Sequence, residues 1–209
     1  MRLSLKRYIN ELFDDTIDIK KVGDVNTSFT VNLDNKRSVD YTVWIGYDDT
    51  PKEVAQMVQK HMEKIHGKAP KGDVMSTWQG VRPYVYDIGF TADKAIGFDT
   101  IDIKGAKKIG DGKWDLESEI DALKIGDTKH SLKVFGTVYK VISKWINKYR
   151  TQVVGMSMAA TTREPSRVKL YRRMAKSMAS KQGFEFIGET RVSADSGQYF
   201  VFINREFLK

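Results

Sequence analysis

Three groups of residues have the types and spacing that chemistry needs. The first is Gly126-Asp127-Thr128-Lys129-His130-Ser131, where a glycine, two hydroxyls and a cation come just before a long apolar stripe. The first amides of a helix have no partner within it and carry its positive end, so such a turn suits a pyrophosphate, with Thr128 as N-cap. The same residues also describe an ordinary strand-to-helix turn. The second group is the run from Glu164 to Met174. Arg167 and Tyr171 lie four apart and share a helix face, which would offer a guanidinium and a phenol to a ligand. Their structural alternatives are a core tyrosine and an Arg167–Glu164 pair. The third is Trp114 to Ala122, where a two-residue period puts Asp115, Glu117, Glu119 and Asp121 on one side of a strand. A carboxylate of raised pKa there would take a proton from an amine, or the row is the wet side of the strand.

The elements that must position these groups follow from periodicity. Val134, Val138, Val141, Ile142, Trp145, Ile146 and Tyr149 recur at three and four residues, predicting a helix over about 129–149. Lys133, Lys140, Lys144 and Lys148 form a basic stripe on it. Residues 3–14 read as a short helix, 28–33 and 39–45 as a hairpin, and Thr50-Pro51-Lys52-Glu53 as a capped start of a helix ending at Gly67. Residues 68–80 read as a loop. Strands are expected over 84–91, 95–104 and 114–122 as an antiparallel meander, then a strand over 152–160, a helix over 165–182, and two strands over 184–192 and 198–204. This order predicts an α/β or α+β fold with a mixed sheet whose helix-connected strands are parallel. It divides into residues 1–79, a helix, hairpin and helix, and a main domain over 80–209.

Composition narrows the function classes. A chain of 209 residues, 41% hydrophobic, can bury a sizeable core. It has no cysteine, so disulfide frameworks and thiolate chemistry are excluded, and His61, His66 and His130 are too scattered to predict a metal centre. No apolar run is long enough for a membrane span or a signal peptide, predicting a soluble, unexported protein. The net charge of +8 is uneven: residues 1–122 carry 18 Lys and Arg against 21 Asp and Glu, and residues 123–209 carry 17 against 6. The second part is therefore expected to face anions, whether a phosphorylated cofactor, an acidic protein or nucleic acid.

The order of meander, turn, helix, strand, helix ending at Gly183-Phe184, and two last strands resembles the GNAT superfamily of acyl-CoA-dependent N-acyltransferases, over about residues 80–205. More narrowly, Lys133-Val134-Phe135-Gly136-Thr137-Val138 followed by Pro165-Ser166-Arg167-Val168-Lys169-Leu170-Tyr171 looks like a group of GNAT-like proteins of tailed bacteriophages. The resemblance implies acetyl-CoA as cofactor, with its pyrophosphate at Gly126 to Ser131 beside Arg167, and its pantetheine arm along Val154 to Ala159. It further implies Tyr171 as the acid that protonates the departing thiolate, Glu119 or Glu117 as base, and an amine or protein as acceptor. The superfamily turn is richer in glycine than this one, where only Gly126 remains. The alternative is a catalytically degenerate GNAT-like viral protein, a virion part or an effector in the host cytoplasm, that binds an acidic protein or nucleic acid.

Overall fold

Alternation of apolar and polar residues fixes the first hairpin. In the computed structural model β1 (Asn26–Asn32) pairs antiparallel with β2 (Ser38–Gly46), in a register running from Asn26↔Trp44 to Asn32↔Ser38. Phe29, Val31, Val39, Tyr41, Val43 and Ile45 are buried, while Ser28–Thr42 and Thr30–Asp40 hydroxyl bonds of 2.9 and 2.6 Å lie on the exposed face. The turn is closed by Asp34, whose carboxylate accepts from the Lys36 and Arg37 amides and from Arg37 Nε. Those donors pull its pKa down to about 2. The structure describes residues 16–48, 50–68, 72–99, 101, 106–116, 128–160, 165–192 and 197–209. The helix expected over 3–14 lies outside them.

Helix α1 (Lys52–His66) ends at Gly67 as expected, but its start differs. Pro51 occupies the N-cap position, and Thr50 does not cap: its hydroxyl donates to the Val85 carbonyl at 2.6 Å. A buried carbonyl within reach outcompetes the helix amides for that hydroxyl. Within residues 68–80, expected as loop, short helical turns form at Val74–Ser76 and from Trp78, the latter running to Val81, and a third turn at Arg82–Tyr84 follows. Asp73 and Thr77 cap the first two of these through the Met75 and Gly80 amides.

Strand β3 (Val85–Ile96) runs unbroken through Thr91 to Lys94, where two separate strands were expected. Its polar middle is satisfied locally: Thr42 and Thr91 hydroxyls both donate to the Asp93 carboxylate, at 2.6 and 2.7 Å. Two short strands follow, β4 (Lys107–Gly110) and β5 (Lys113–Asp115), antiparallel to each other, with β5 antiparallel to β3 at Lys94–Ile96. So β4 lies between the strands expected over 95–104 and 114–122, where no strand was expected. Then come α2 (Thr128–Tyr149), β6 (Gly155–Ala160), α3 (Pro165–Lys181), β7 (Phe184–Arg191) and β8 (Gln198–Asn204). The eight strands make a mixed sheet in the order β1-β2-β3-β6-β8-β7, with β5 on β3 and β4 on β5. The α+β class expected from the sequence is the one observed.

The chain packs as two compact units, Met1–Trp44 with Phe90–Trp145, and Ile45–Gly89 with Ile146–Lys209. Each draws on sequence from both sides of residue 80. In the first unit the segment 17–24 lies along α2. Thr137 Oγ1 accepts from the Ile17 amide at 3.0 Å, Lys140 and Lys144 donate to the Ile17 and Ile19 carbonyls at 3.4 and 2.5 Å, and Trp145 Nε1 donates to the Asp24 carbonyl at 2.7 Å. Residues 137, 140, 144 and 145 share one side of a helix, so one stripe holds this segment by its main-chain groups.

In the second unit β3 and β6 pair in parallel, Val85–Ile88 with Gly155–Met158, and β8 lies between β6 and β7, antiparallel to both. Helix α1 covers one face: Val54 and Val58 pack with Val85, Val154, Val201 and Ile203. Gly155 lets that helix approach, since a Cβ there would sit 2.9 Å from Val58 Cγ2. Helix α3 covers the other, with Arg172 over Phe200 and Lys176 over Phe186. Gly183 ends that helix with φ +76°, and the Arg150 guanidinium fills the place a side chain would take.

Candidate functional site

The start of α2 belongs to the first unit. Its main chain is helical from Thr128, which is therefore the first helical residue and not the N-cap expected, and the Thr128, Lys129 and His130 amides have no acceptor within the helix. Gly126 and Asp127, the turn itself, lie outside the described residues. Among the first five side chains of the helix, that of His130 is described. It is buried, and its Nε2 lies 2.8 Å from the Tyr41 hydroxyl, whose ring in turn stacks on Phe29 at 5.5 Å. Burial pushes the Tyr41 phenol well above its ordinary pKa, so the hydroxyl stays protonated. The imidazole is therefore part of the packed interior under β2. Of the described groups, main-chain amides are what this end of the helix offers an anion.

The ladder between β3 and β6 belongs to the second unit. Its rungs are Val85↔Gly155, Tyr86↔Met156, Asp87↔Ser157 and Ile88↔Met158. The third rung carries a buried polar pair: Ser157 Oγ donates to Asp87 Oδ1 at 2.5 Å, and both residues are buried. A carboxylate withdrawn from water is costly unless hydrogen-bonded, so this bond helps hold Asp87 in place. Alternation puts Asp87 and Ser157 on the face of Val85 and Gly155, which α1 covers. The last rung is Ile88–Met158, although β3 and β6 both continue. Gly89 and Ala159, the next residue of each strand, are not paired with each other.

On α3, Tyr171 is half-buried, and Arg167 sits in the first turn with its side chain outside the described set. The basic residues of this helix are not a uniformly solvated row. Arg172 makes a two-pronged ion pair with Glu189, Nε to Oε1 and Nη2 to Oε2, which raises the guanidinium pKa further. Lys176 covers Phe186 at 5.1 Å. The stripe on α2 is likewise engaged, Lys140 and Lys144 on residues 17–19 and Lys148 over the Tyr149 ring at 4.8 Å.

The proposed bases, Glu117 and Glu119, fall outside the described residues, as does Asp121. Asp115 ends β5 opposite Lys94 and Lys107. Asp87–Ser157 was missed because seventy residues separate its members. A carboxylate at an inward-facing position of the predicted strand 84–91 was the signal that could have found it. Among the described residues no three His, Asp or Glu gather as a metal ion requires, and no helix is long and apolar enough to cross a membrane. The charge is unevenly divided: the second unit holds 18 Lys and Arg against 11 Asp and Glu, which is +7 of the total +8. No family model, curated protein or solved structure matches this chain.

Proposed function

We propose that the chain is an acyl-CoA-dependent N-acyltransferase, transferring an acetyl group from acetyl-CoA to an amine. The observation that carries this reading is the parallel β3–β6 pair whose ladder stops at Ile88–Met158 while both strands run on. Beyond that last rung the strands continue with Gly89 and Ala159, a place that suits an extended arm bearing two amides, as pantetheine does. The order β6-β8-β7, with α3 between β6 and β7 and ending at Gly183-Phe184, agrees with what the resemblance implies for the last part of the chain. For the diphosphate, the resemblance implies main-chain amides at the start of α2.

Bound acetyl-CoA supplies a thioester, an acyl group with a good leaving thiolate. The chain's own residues would do the rest. Glu119 or Glu117 takes the proton from the attacking amine, and Tyr171 gives one to sulfur as the thiolate leaves. Arg167 adds a cation for the phosphates. The test is calorimetric titration with acetyl-CoA, paired with thiol release on adding amines. The reading expects binding in the micromolar range and thiol release that Tyr171→Phe slows while leaving affinity intact. Absence of binding at about millimolar acetyl-CoA, some −4 kcal/mol at best, overturns it.

A second reading, a binding protein on a degenerate form of the same fold, draws on the +7 unit. It expects no acetyl-CoA binding and salt-sensitive retention on an anionic partner.

A further inference from the structure

Two turns of the first unit enclose an open cleft of about 620 Å³ for which the acyltransferase reading has no use. One wall is the β1–β2 turn, Asp34 to Arg37, and the other is the chain leaving β3, Gly97 to Asp99. Both walls are held in place. The Asp34 carboxylate fastens the first by accepting from the Lys36 and Arg37 amides. The second lies directly against it: Gly97 has φ +82°, and a Cβ there would overlap the Lys36 carbonyl oxygen, so glycine is what lets the two turns meet. The Gly112 carbonyl, between β4 and β5, accepts from the Gly97 and Phe98 amides at 2.5 and 3.3 Å, and Trp114 Nε1 donates to the Phe98 carbonyl at 2.9 Å. Walls set before a ligand arrives spare it the cost of ordering them. The volume falls within that of small-molecule sites, roughly 300–1,000 Å³.

The lining groups leave one charge of each sign unspent. Arg37 Nε donates to Asp34 Oδ2 at 2.7 Å, and the guanidinium lies 5.7 Å from the centre of the Phe98 ring, contacts that fix the side chain and balance its charge. Its two Nη groups bond no other described residue, so a fork of donors remains. The Lys36 ammonium and the Asp99 carboxylate, both exposed, have no partner among the described residues. The cleft thus offers a cation and a donor fork on the hairpin wall and an acceptor anion on the other, with two acids and two bases in all. A phosphate would bring its charges between two carboxylates, and a metal ion would meet Lys36 and Arg37. A neutral sugar would leave both charges unpaired. A small molecule that carries a carboxylate and an ammonium on neighbouring atoms matches both walls at once.

We infer that this cleft binds a free α-amino acid, its carboxylate on Arg37 and Lys36 and its ammonium on Asp99. The site lies in the first unit and its test involves no acetyl-CoA, so it stands or falls apart from the acyltransferase reading. The experiment is an amide-resolved ¹H–¹⁵N titration of the full chain with L-leucine and L-alanine, and with N-acetyl-L-leucine and L-leucinamide, each of which has one charged end blocked. The free amino acids should shift the amides of residues 35–37 and 97–99 saturably, with half-saturation below about 1 mM. Each blocked analogue should bind roughly tenfold to a hundredfold more weakly, the worth of one hydrogen bond to a charged group. Asp99→Asn should weaken leucine binding without weakening that of N-acetyl-L-leucine, which has no ammonium to lose a partner. Lys36→Ala should weaken leucine binding without weakening that of L-leucinamide. Both side chains are exposed, so the variants keep the fold, and the unshifted remainder of each spectrum confirms it. No shift at about 10 mM amino acid overturns the inference. Equal affinity for the blocked analogues, wild-type affinity in both variants, or shifts that avoid both walls would overturn it as well.

Discussion

Replacing Tyr41 by Phe asks whether His130 belongs to the interior. Phe keeps the ring and its stacking on Phe29, and removes only the hydroxyl that meets His130 Nε2 at 2.8 Å. A neutral hydrogen bond contributes about 1 kcal/mol net, and stranding its buried partner costs about 1–3 kcal/mol. For a chain of this length each kcal/mol moves the melting temperature by about 2–4 °C, so Tyr41→Phe should lower it by roughly 2–12 °C. A second signature lies at high pH. The folded phenol keeps its proton above the ordinary value near 10, where the unfolded chain gives its own up. Its contribution is complete below about pH 10 and declines above it, by up to about 1.4 kcal/mol per pH unit. The variant should lack that component, read as the difference between wild-type and variant urea midpoints from pH 8 to 11. Equal melting temperatures together with parallel alkaline limbs would refute the reasoning and return the imidazole to the list of ligand contacts.

Gly155→Ala places a methyl 2.9 Å from Val58 Cγ2, both in a packed layer, and should cost about 1–3 kcal/mol in urea unfolding. Adding Val58→Ala should return part of that loss, a coupling that a double-mutant cycle measures. Lys144→Met removes the donor to the Ile19 carbonyl, so amide exchange over residues 17–24 should quicken while α2 stays protected. Asp34 has its pKa lowered to about 2, so its stabilising effect is present above about pH 4 and lost as pH falls towards 2. Asp34→Asn should flatten that acid limb in a pH series of thermal melts, and an unchanged limb would contradict the assignment.

How far the sequence led depends on the kind of signal. Val134 to Ile146 recur with a helical period over about three and a half turns, and the helix they predict is present with all six buried. The β8 boundaries follow equally from Gln198-Tyr199 and Asn204, where an apolar run meets polar ends. Thr91-Ala92-Asp93-Lys94 has no such pattern, and β3 passes through it because Thr42, from another strand, helps satisfy Asp93. Thr50 illustrates the same competition: every local rule made it a cap, and a carbonyl thirty-five residues away took its hydroxyl. Helical turns at 74–81 are too short for periodicity and are declared only by Asp73 and Thr77. At the site, local spacing identified the helix start but not the direction of His130. That was set by Tyr41, eighty-nine residues earlier, and nothing in the neighbourhood of either announces the other.

The central claim is that the β3–β6 pair takes the pantetheine arm of acetyl-CoA. Amide-resolved ¹H–¹⁵N spectra during an acetyl-CoA titration test this most directly. The expected result is saturable shifts at Gly89 and Ala159 and at their neighbours in β3 and β6. Shifts confined to exposed lysines that vanish with added salt, or none at all, would contradict it.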